Sequence, residues 1–318
     1  MPRHAHYLPQ GVIPAVLLPF TDDLAIDEKG FRKHLRDVAA TDGISAITIN
    51  AHSTEVVSCS FEEQRRVLAI AQDEIGDRLP IVNGIWADGS LEAARIARMA
   101  EEGGASALLV FPPAPFTLQQ SPAMAVEHFK RIADASSLPI IAFQYPLATG
   151  QGYPRDTLLK MVEEVPSIRA IKDWSGNVPQ HEMQIRELQS LPRPVNVLTT
   201  HSAWLFSSLV LGCNGLLSGS GSVIADLQSA LFQAVKNNDL AEARRVNDRI
   251  YPLARVFYAE PWADMHNRMK EALVLLGRLP RAVVRPPLVK LGRAEIERIR
   301  AALVEAGLLS QKAARDAA

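Results

Sequence analysis

The chain has 318 residues, 47% hydrophobic and 22% charged, the balance of an ordinary globular protein. With 34 Lys and Arg against 35 Asp and Glu the net charge is −1, which excludes nucleic acid and anionic membrane as charge-driven partners. No run of about 18 apolar residues is present to span a bilayer. Residues 1–6 lack the apolar stretch of a signal peptide, and Cys59 and Cys213 have neither a disulfide framework nor metal-ligand spacing, so a cytoplasmic protein is expected.

Apolar strands alternate with amphipathic helices from the start. Residues 11–18 read as a first strand, and Asp27 can cap a helix to about residue 40, with Phe31, Leu35 and Val38 on one face. A strand at 44–49 precedes Ser60-Phe-Glu-Glu63, a capping-box sequence that opens a helix to about residue 75. Further strands read at 80–84, 107–111, 138–143, 168–172, 194–198 and 215–218. The helices that follow them read at 90–102, 122–135, 155–165, 180–191, 203–211 and 223–236. Eight strand–helix units with continuous apolar strands predict a closed parallel TIM (β/α)8 barrel over residues 11–237, rather than an open doubly wound sheet.

Helical periodicity continues at 240–256, 265–276 and 293–308, joined by the Pro-rich stretch 281–287. It predicts a C-terminal helical bundle over 238–310, packed on the barrel or on another subunit. Residues 1–10 read as a loose arm, in which His4 and His6 are no metal site, and 311–318 as a frayed tail.

In such a barrel the reacting groups gather at the C-terminal strand ends. Those ends carry Asn50-Ala-His-Ser-Thr-Glu55, Phe111-Pro-Pro-Ala-Pro115, Phe143-Gln-Tyr-Pro146, Lys172-Asp173, Thr199-Thr-His201 and Ser218-Gly-Ser-Gly-Ser222. Lys172 stands out. Burying its ammonium is expensive, so desolvation lowers its pKa, and a neutral amine attacks carbonyl carbon. The competing account is a strand-end lysine whose stem packs on apolar surface while its head reaches water. Polar groups from six strands converging on one mouth favour a catalytic role. The serines of 218–222 run into a helix N-terminus that can receive an anion, without the lysine or the context of a nucleotide site. Trp174, Trp204 and Phe116 are candidates for an aromatic pocket wall.

The chain resembles the dihydrodipicolinate synthase / N-acetylneuraminate lyase family over essentially its whole length. The likeness rests on Pro19-Phe20 with Asp27, the His52-Ser-Thr-Glu55 loop, Phe143-Gln-Tyr-Pro146 with Thr149-Gly150, Ile171-Lys-Asp173, and Gly215-Leu-Leu-Ser218. The resemblance implies a TIM barrel with a C-terminal helical bundle, usually a tetramer built as a dimer of dimers. It also implies an imine between Lys172 and pyruvate or another 2-oxo acid, with no cofactor and no metal.

The departures from the family pattern redirect the chemistry. Where the family reads Gly-Thr-Thr-Gly-Glu, this chain has Ala51-His52-Ser53-Thr54-Glu55. His52 thus replaces a threonine of the family's relay with a group that ordinarily titrates near neutral pH. The family's proton-passing tyrosine aligns with Phe143, which can neither donate nor accept a proton. An arginine that several members use to hold a second carboxylate aligns with Ala148, and Pro113-Ala-Pro115 offers no counterpart to the relay tyrosine after the fourth strand.

The expected activity is a class I lyase, aldolase or dehydratase acting on a 2-oxo acid, and not dihydrodipicolinate synthesis itself. Lys172, His52 and Tyr145 are the expected catalytic residues. Ser53, Thr54, Phe143, Gln144, Thr200, His201, Leu217 and Ser218 are expected to bind substrate, with Asp173 or Glu55 setting a histidine tautomer. Two other classes stay open at this stage: a catalytically silent barrel that senses a small oxo acid, and a metal-dependent enzyme using His52, His201 and Asp173.

Overall fold

The computed structural model describes residues 3–4, 6–200 and 202–310. Eight short strands run parallel: β1 (Gly11–Pro14), β2 (Ile47–Ile49), β3 (Ile81–Ile85), β4 (Ala107–Val110), β5 (Ile140–Gln144), β6 (Ile168–Asp173), β7 (Asn196–Thr199) and β8 (Gly215–Ser218). They hydrogen-bond in the order β1-β8-β7-β6-β5-β4-β3-β2, and parallel bridges from Val12 to Ile44 and from Ala15 to Thr48 bring the first and second strands together. The result is the expected barrel. Each strand leads to a helix of the outer ring: α1 (Glu28–Ala39), α2 (Phe61–Ile75), α3 (Ser90–Glu102), α4 (Pro122–Ala133), α5 (Arg155–Glu164), α6 (Val178–Leu188), α7 (Leu205–Val210) and α8 (Gly221–Lys236).

The helix starts follow the capping chemistry of the sequence. Asp27 accepts the Gly30 amide at 2.8 Å, and Ser60 and Glu63 satisfy each other's backbone amides in a capping box.

Strand alternation sorts the apolar residues into two cores. Ile13, Val82, Leu109, Ile141, Phe143, Ala170, Leu198 and Leu217 fill the barrel interior. Their neighbours Val12, Ile81, Leu108, Ile140, Ile171, Val197 and Leu216 face the helices. The same alternation sends Lys172 inward and Asp173 outward.

Three further helices follow the barrel: α9 (Leu240–Phe257), α10 (Met265–Leu275) and α11 (Arg293–Glu305). α9 packs along α8, while α10 and α11 contact α9 and each other. The expected bundle is therefore seated on the barrel. It is tied to the loop after β2 by a buried pair, Lys270 to Glu55. Lys270 Nζ also donates to the Val283 carbonyl at 2.8 Å, and the second Glu55 oxygen accepts the Arg285 amide at 2.9 Å. The Lys270 amine and the Arg285 guanidinium each lie over the Phe20 ring, at 4.3 and 4.4 Å.

The loop after β2 departs from the simple strand–helix pattern. It makes two single-turn 3-10 segments, His52–Thr54 and Val56–Ser58, with residues of positive φ before the first, Asn50 (50°), and between the two, Glu55 (51°). Gly84 permits this, because a Cβ there would lie 1.8 Å from the Asn50 carbonyl oxygen. The described part of the N-terminal arm is anchored rather than loose. Arg3 donates to the Gln72 carbonyl and pairs with Asp77, and His4 Nε2 meets the Gly76 carbonyl at 3.0 Å. The tail expected to fray lies outside the described residues.

Removing one partner of the buried pair would leave the other charge stranded. Lys270→Ala is expected to cost about 3–5 kcal/mol in urea unfolding. The double variant Lys270→Met/Glu55→Leu is expected to regain part of that. A cost under about 1 kcal/mol for Lys270→Ala would show that the tie is not structural.

Candidate active site

The mouth of the barrel holds a narrow cleft around Lys172. β6 delivers the lysine, β5 contributes Phe143, and the loop after β2 contributes Ala51, His52 and Ser53. Trp174 and Thr200 come from the ends of β6 and β7. Met265 and His266, at the start of α10, roof the cleft with Tyr258.

The Lys172 amine lies 4.1 Å from the centre of the Phe143 ring and has no carboxylate partner among the described residues. Burial therefore dominates and pulls its pKa from the ordinary 10.5 down to about 7. That drop corresponds to roughly 5 kcal/mol of preference for the neutral amine. The attraction of an ammonium for the ring face is too small to restore the charge, at about 0.5–2 kcal/mol.

A continuous wall of rings produces this dryness. Phe111 packs edge-on to Trp86 and Phe143, Phe143 to Tyr145, and Tyr145 to Trp174, with centroids 4.7–5.4 Å apart. His52 is set into the wall, 4.7 Å from Phe111 and 5.2 Å from Trp86. Its Nε2 meets the Tyr145 hydroxyl at 3.0 Å. Burial, with a smaller contribution from the Lys172 charge, lowers the His52 pKa to about 3. The sequence predicted a histidine titrating near neutrality at this place; the aromatic wall makes it a neutral imidazole instead. Burial also raises the Tyr145 hydroxyl above its ordinary range.

Ser53 is 1% exposed, and its hydroxyl has no partner among the described residues. It is the second residue of the 3-10 turn His52–Thr54, whose first amides have no acceptor within the turn. A hydroxyl donor and free amides beside Lys172 form an anion-receiving edge suited to a carboxylate.

The family model for dihydrodipicolinate synthetases matches residues 8–306. The chain belongs to this family. It is accordingly a class I lyase of the Schiff-base type. The 4-hydroxy-tetrahydrodipicolinate synthase of Methanopyrus kandleri is 29% identical over 303 residues, 95% of this chain and 98% of the relative. That of Chlorobium limicola is 30% identical over 282 residues, 88% and 92% of the two chains. The crystal structure of a dihydrodipicolinate synthase from Thermotoga maritima superposes with a TM-score of 0.88 at 20% identity, covering 95% of this chain and 100% of that one. A prophage protein of the family from E. coli K12, solved in complex with pyruvate, gives 0.87 at 24% identity, with 95% and 100% covered. At these identities the solved structures speak for the fold. No helix among the described residues is long and apolar enough to cross a membrane.

The structure gathers Lys172, Phe143, His52, Ser53 and Thr200 on the cleft at the mouth of this family barrel, sets Tyr145 in the ring wall behind them on His52, and turns other expected site residues away. Gln144 points outward on β5, where its amide donates to the Tyr145 and Tyr153 carbonyls and its oxygen accepts the Tyr153 amide. Thr54 folds back on Ala51, bonding both its amide and its carbonyl. Leu217 belongs to the barrel interior below the cleft, and Ser218 is buried against Ser220. Gly219 takes the position on the cleft wall. His201 lies outside the described residues.

Glu55 and Asp173 do not orient His52. Glu55 holds Lys270, and Asp173 holds His181 Nδ1 at 2.5 Å and the Ser175 amide at 2.7 Å. With both its oxygens committed on the outer face of β6, Asp173 is not placed to share a ligand with His52. His181 Nε2 meets the Ser208 hydroxyl at 2.9 Å, and the Asp-His-Ser row is sealed between barrel and helices. It braces the strand that carries Lys172. Trp204 packs on His181, and Phe116 on His128, so neither joins the pocket wall. The serine stretch 218–222 is likewise engaged within the protein: Ser222 accepts the Leu17 amide and bonds His34, while Ser220 accepts from Gln228.

His266 was not anticipated, because the sequence directs attention to strand ends and this residue starts a helix beyond the barrel. A Cβ on Gly219 would come within 2.8 Å of His266 Nε2, so the glycine is what lets α10 close over the mouth. Burial is the main cause that holds the His266 ring well below its ordinary range, with smaller contributions from the neighbouring Lys172 and Lys270 amines.

The depressed Lys172 pKa has a stability signature. The unfolded chain keeps this amine protonated up to about 10.5, whereas the folded chain releases the proton near 7, so stability rises with pH across that interval. Replacing the amine by an uncharged isostere removes the penalty. Lys172→Met is therefore expected to gain up to roughly 5 kcal/mol over wild type near pH 6, an advantage that fades toward pH 10–11. Urea titrations at several pH values read this directly, and a pH-independent difference would mean that the wild-type amine is not desolvated.

Proposed function

We propose that this protein makes or breaks a bond at C3 of pyruvate or a close 2-oxo acid through an imine on Lys172. The observation that carries the reading is the buried amine without a counterion, beside an unpartnered buried hydroxyl on Ser53. The substrate carboxylate is received by Ser53 and the open amides of its turn, which presents C2 to Lys172. The neutral amine attacks C2 and gives a carbinolamine. Tyr145 donates its proton to the departing hydroxyl, and water leaves. The resulting tyrosinate, held by the imidazole N–H of neutral His52, takes a proton from C3 and the iminium becomes an enamine. Burial makes a lone tyrosinate costly, but the adjacent iminium carries the compensating positive charge. The enamine carbon then bonds to a carbonyl carbon, or the same steps run in reverse, and hydrolysis frees Lys172.

This assignment gives His52 a positioning and hydrogen-bonding task, since a ring with a pKa of about 3 is too weak a base to work alone near neutrality. We further propose that the reaction differs from that of the synthase relatives. Phe143 supplies no hydroxyl, and the exposed Ala148 offers no cation for a second carboxylate at that turn.

Borohydride reduction in the presence of pyruvate is expected to leave one covalent adduct, mapped to Lys172 by peptide mass spectrometry and missing in Lys172→Ala. Tyr145→Phe is expected to lower turnover by about 10²-fold or more while still yielding the adduct. An intact Lys172 across a panel of 2-oxo acids, with a known lyase labelled alongside, would refute the imine. Wild-type turnover in Tyr145→Phe would remove the tyrosine from the mechanism.

A further inference from the structure

A second cavity adjoins the Lys172 cleft. Trp174, Thr200 and Tyr258 line both, so the two spaces share one wall. The far side comes from α9 and the turn after it, as Tyr251, Arg255 and Trp262. Trp174 and Trp262 face each other with centroids 5.5 Å apart, and the Arg255 guanidinium lies 5.8 Å from the Tyr251 ring. Tyr251 is 53% exposed and Trp262 47%. Large rings left open to solvent around one concavity mark a surface that gains by being covered. Arg255 has no carboxylate partner among the described residues, in contrast to Arg245 on the same helix, which is paired with Glu242.

We propose that this annex is the subsite for the second reactant, and that the reactant is an aromatic aldehyde carrying a distal carboxylate. The inference rests on the imine chemistry proposed for Lys172 and names the partner that the enamine meets. The ring packs against the Trp174–Trp262 pair and Tyr258, the aldehyde carbon points back along the shared wall to the enamine, and the distal carboxylate meets Arg255. C3 of the enamine forms the new bond to the aldehyde carbon. The aldehyde oxygen takes a proton and becomes a hydroxyl, and water hydrolyses the imine to release the product. An aliphatic acceptor would leave the rings exposed, and an uncharged one would leave the guanidinium unused.

The test compares 4-carboxybenzaldehyde, benzaldehyde and succinic semialdehyde as acceptors for pyruvate, with borohydride trapping run in parallel on the same wild-type preparation. Catalytic efficiency is expected to be highest for 4-carboxybenzaldehyde. Arg255→Gln is expected to raise KM for that aldehyde by about tenfold or more while moving KM for benzaldehyde little, as for loss of a charge-assisted contact. Trp262→Ala is expected to raise KM for both aromatic aldehydes. Arg255 and Trp262 are both exposed, so neither substitution threatens folding. A preference for succinic semialdehyde, or an Arg255→Gln effect equal on the two aromatic aldehydes or absent on both, would overturn the subsite. Those outcomes alongside normal pyruvate trapping would refute the annex alone; failure of trapping would remove the imine reading and this inference with it.

Discussion

Taking an amine out of water without giving it a counterion is unfavourable, and this barrel does so at Lys172. The other features of the mouth follow from that constraint. A carboxylate beside the lysine would recover the lost solvation, but it would also hold the ammonium form and end its nucleophilicity. Here the neighbours are rings. The wall from Trp86 through Phe111, Phe143 and Tyr145 to Trp174 excludes water without supplying negative charge. The acidic groups that follow β6 and β2 are taken up elsewhere: Asp173 by His181 on the outer face of β6, and Glu55 by Lys270 under the roof. Strand alternation brings about the first separation and the C-terminal helices the second.

Those helices belong to the site. α10 places Met265 and His266 on the cleft and sends Lys270 to hold the loop that carries His52 and Ser53. The loop has a strained outline, with Asn50 and Glu55 at positive φ, and it is stabilised at both ends by contacts distant in sequence. Gly84 makes room for it from β3, and residues 270–285 clamp it from the other side. Site geometry and roof stability are thus one mechanical system, in which a change at Lys270 is felt at Ser53.

What was legible in the sequence depended on whether an interaction is local. The strand–helix units were readable because a buried parallel strand is an uninterrupted apolar run, and helix starts such as Asp27 and Ser60 carry their caps beside them. Lys172 was readable because β6 ends on it. Gln144 was misplaced because it ends a strand as conspicuously as its neighbours, yet parity turns it outward; Leu217 follows the inward parity but stops one layer too low. Thr54 was misplaced because the loop after β2 coils into 3-10 turns, where strand parity no longer holds. The Lys270–Glu55 tie was invisible because its partners stand 215 residues apart, and His266 because it reaches the mouth from a helix beyond the barrel; no local pattern announces either closure. The pKa of His52 was misjudged for a related reason: the rings that dry it come from β3, β4 and β5.

The displacement of the hydroxyl along β5 follows from the same wall. At Phe143 the chain gives up a proton-transferring group on the strand itself and gains a ring 4.1 Å from the amine, which deepens the desolvation that keeps Lys172 neutral. The proposed imine chemistry calls for a hydroxyl nearby all the same, and Tyr145, two residues on, offers one with the same inward parity. That tyrosine reaches farther from the barrel axis and would be a free rotor with a buried, unpaired oxygen. His52 removes the defect, because its Nε2 at 3.0 Å fixes the hydroxyl, and because a ring kept neutral can accept from the phenol or donate to the phenolate. A threonine at position 52 is shorter and offers a hydroxyl where the chain has an imidazole that spans to Tyr145. Histidine at 52, tyrosine at 145 and phenylalanine at 143 therefore act as one linked set, in which restoring a tyrosine at 143 alone would crowd the amine and return water to it.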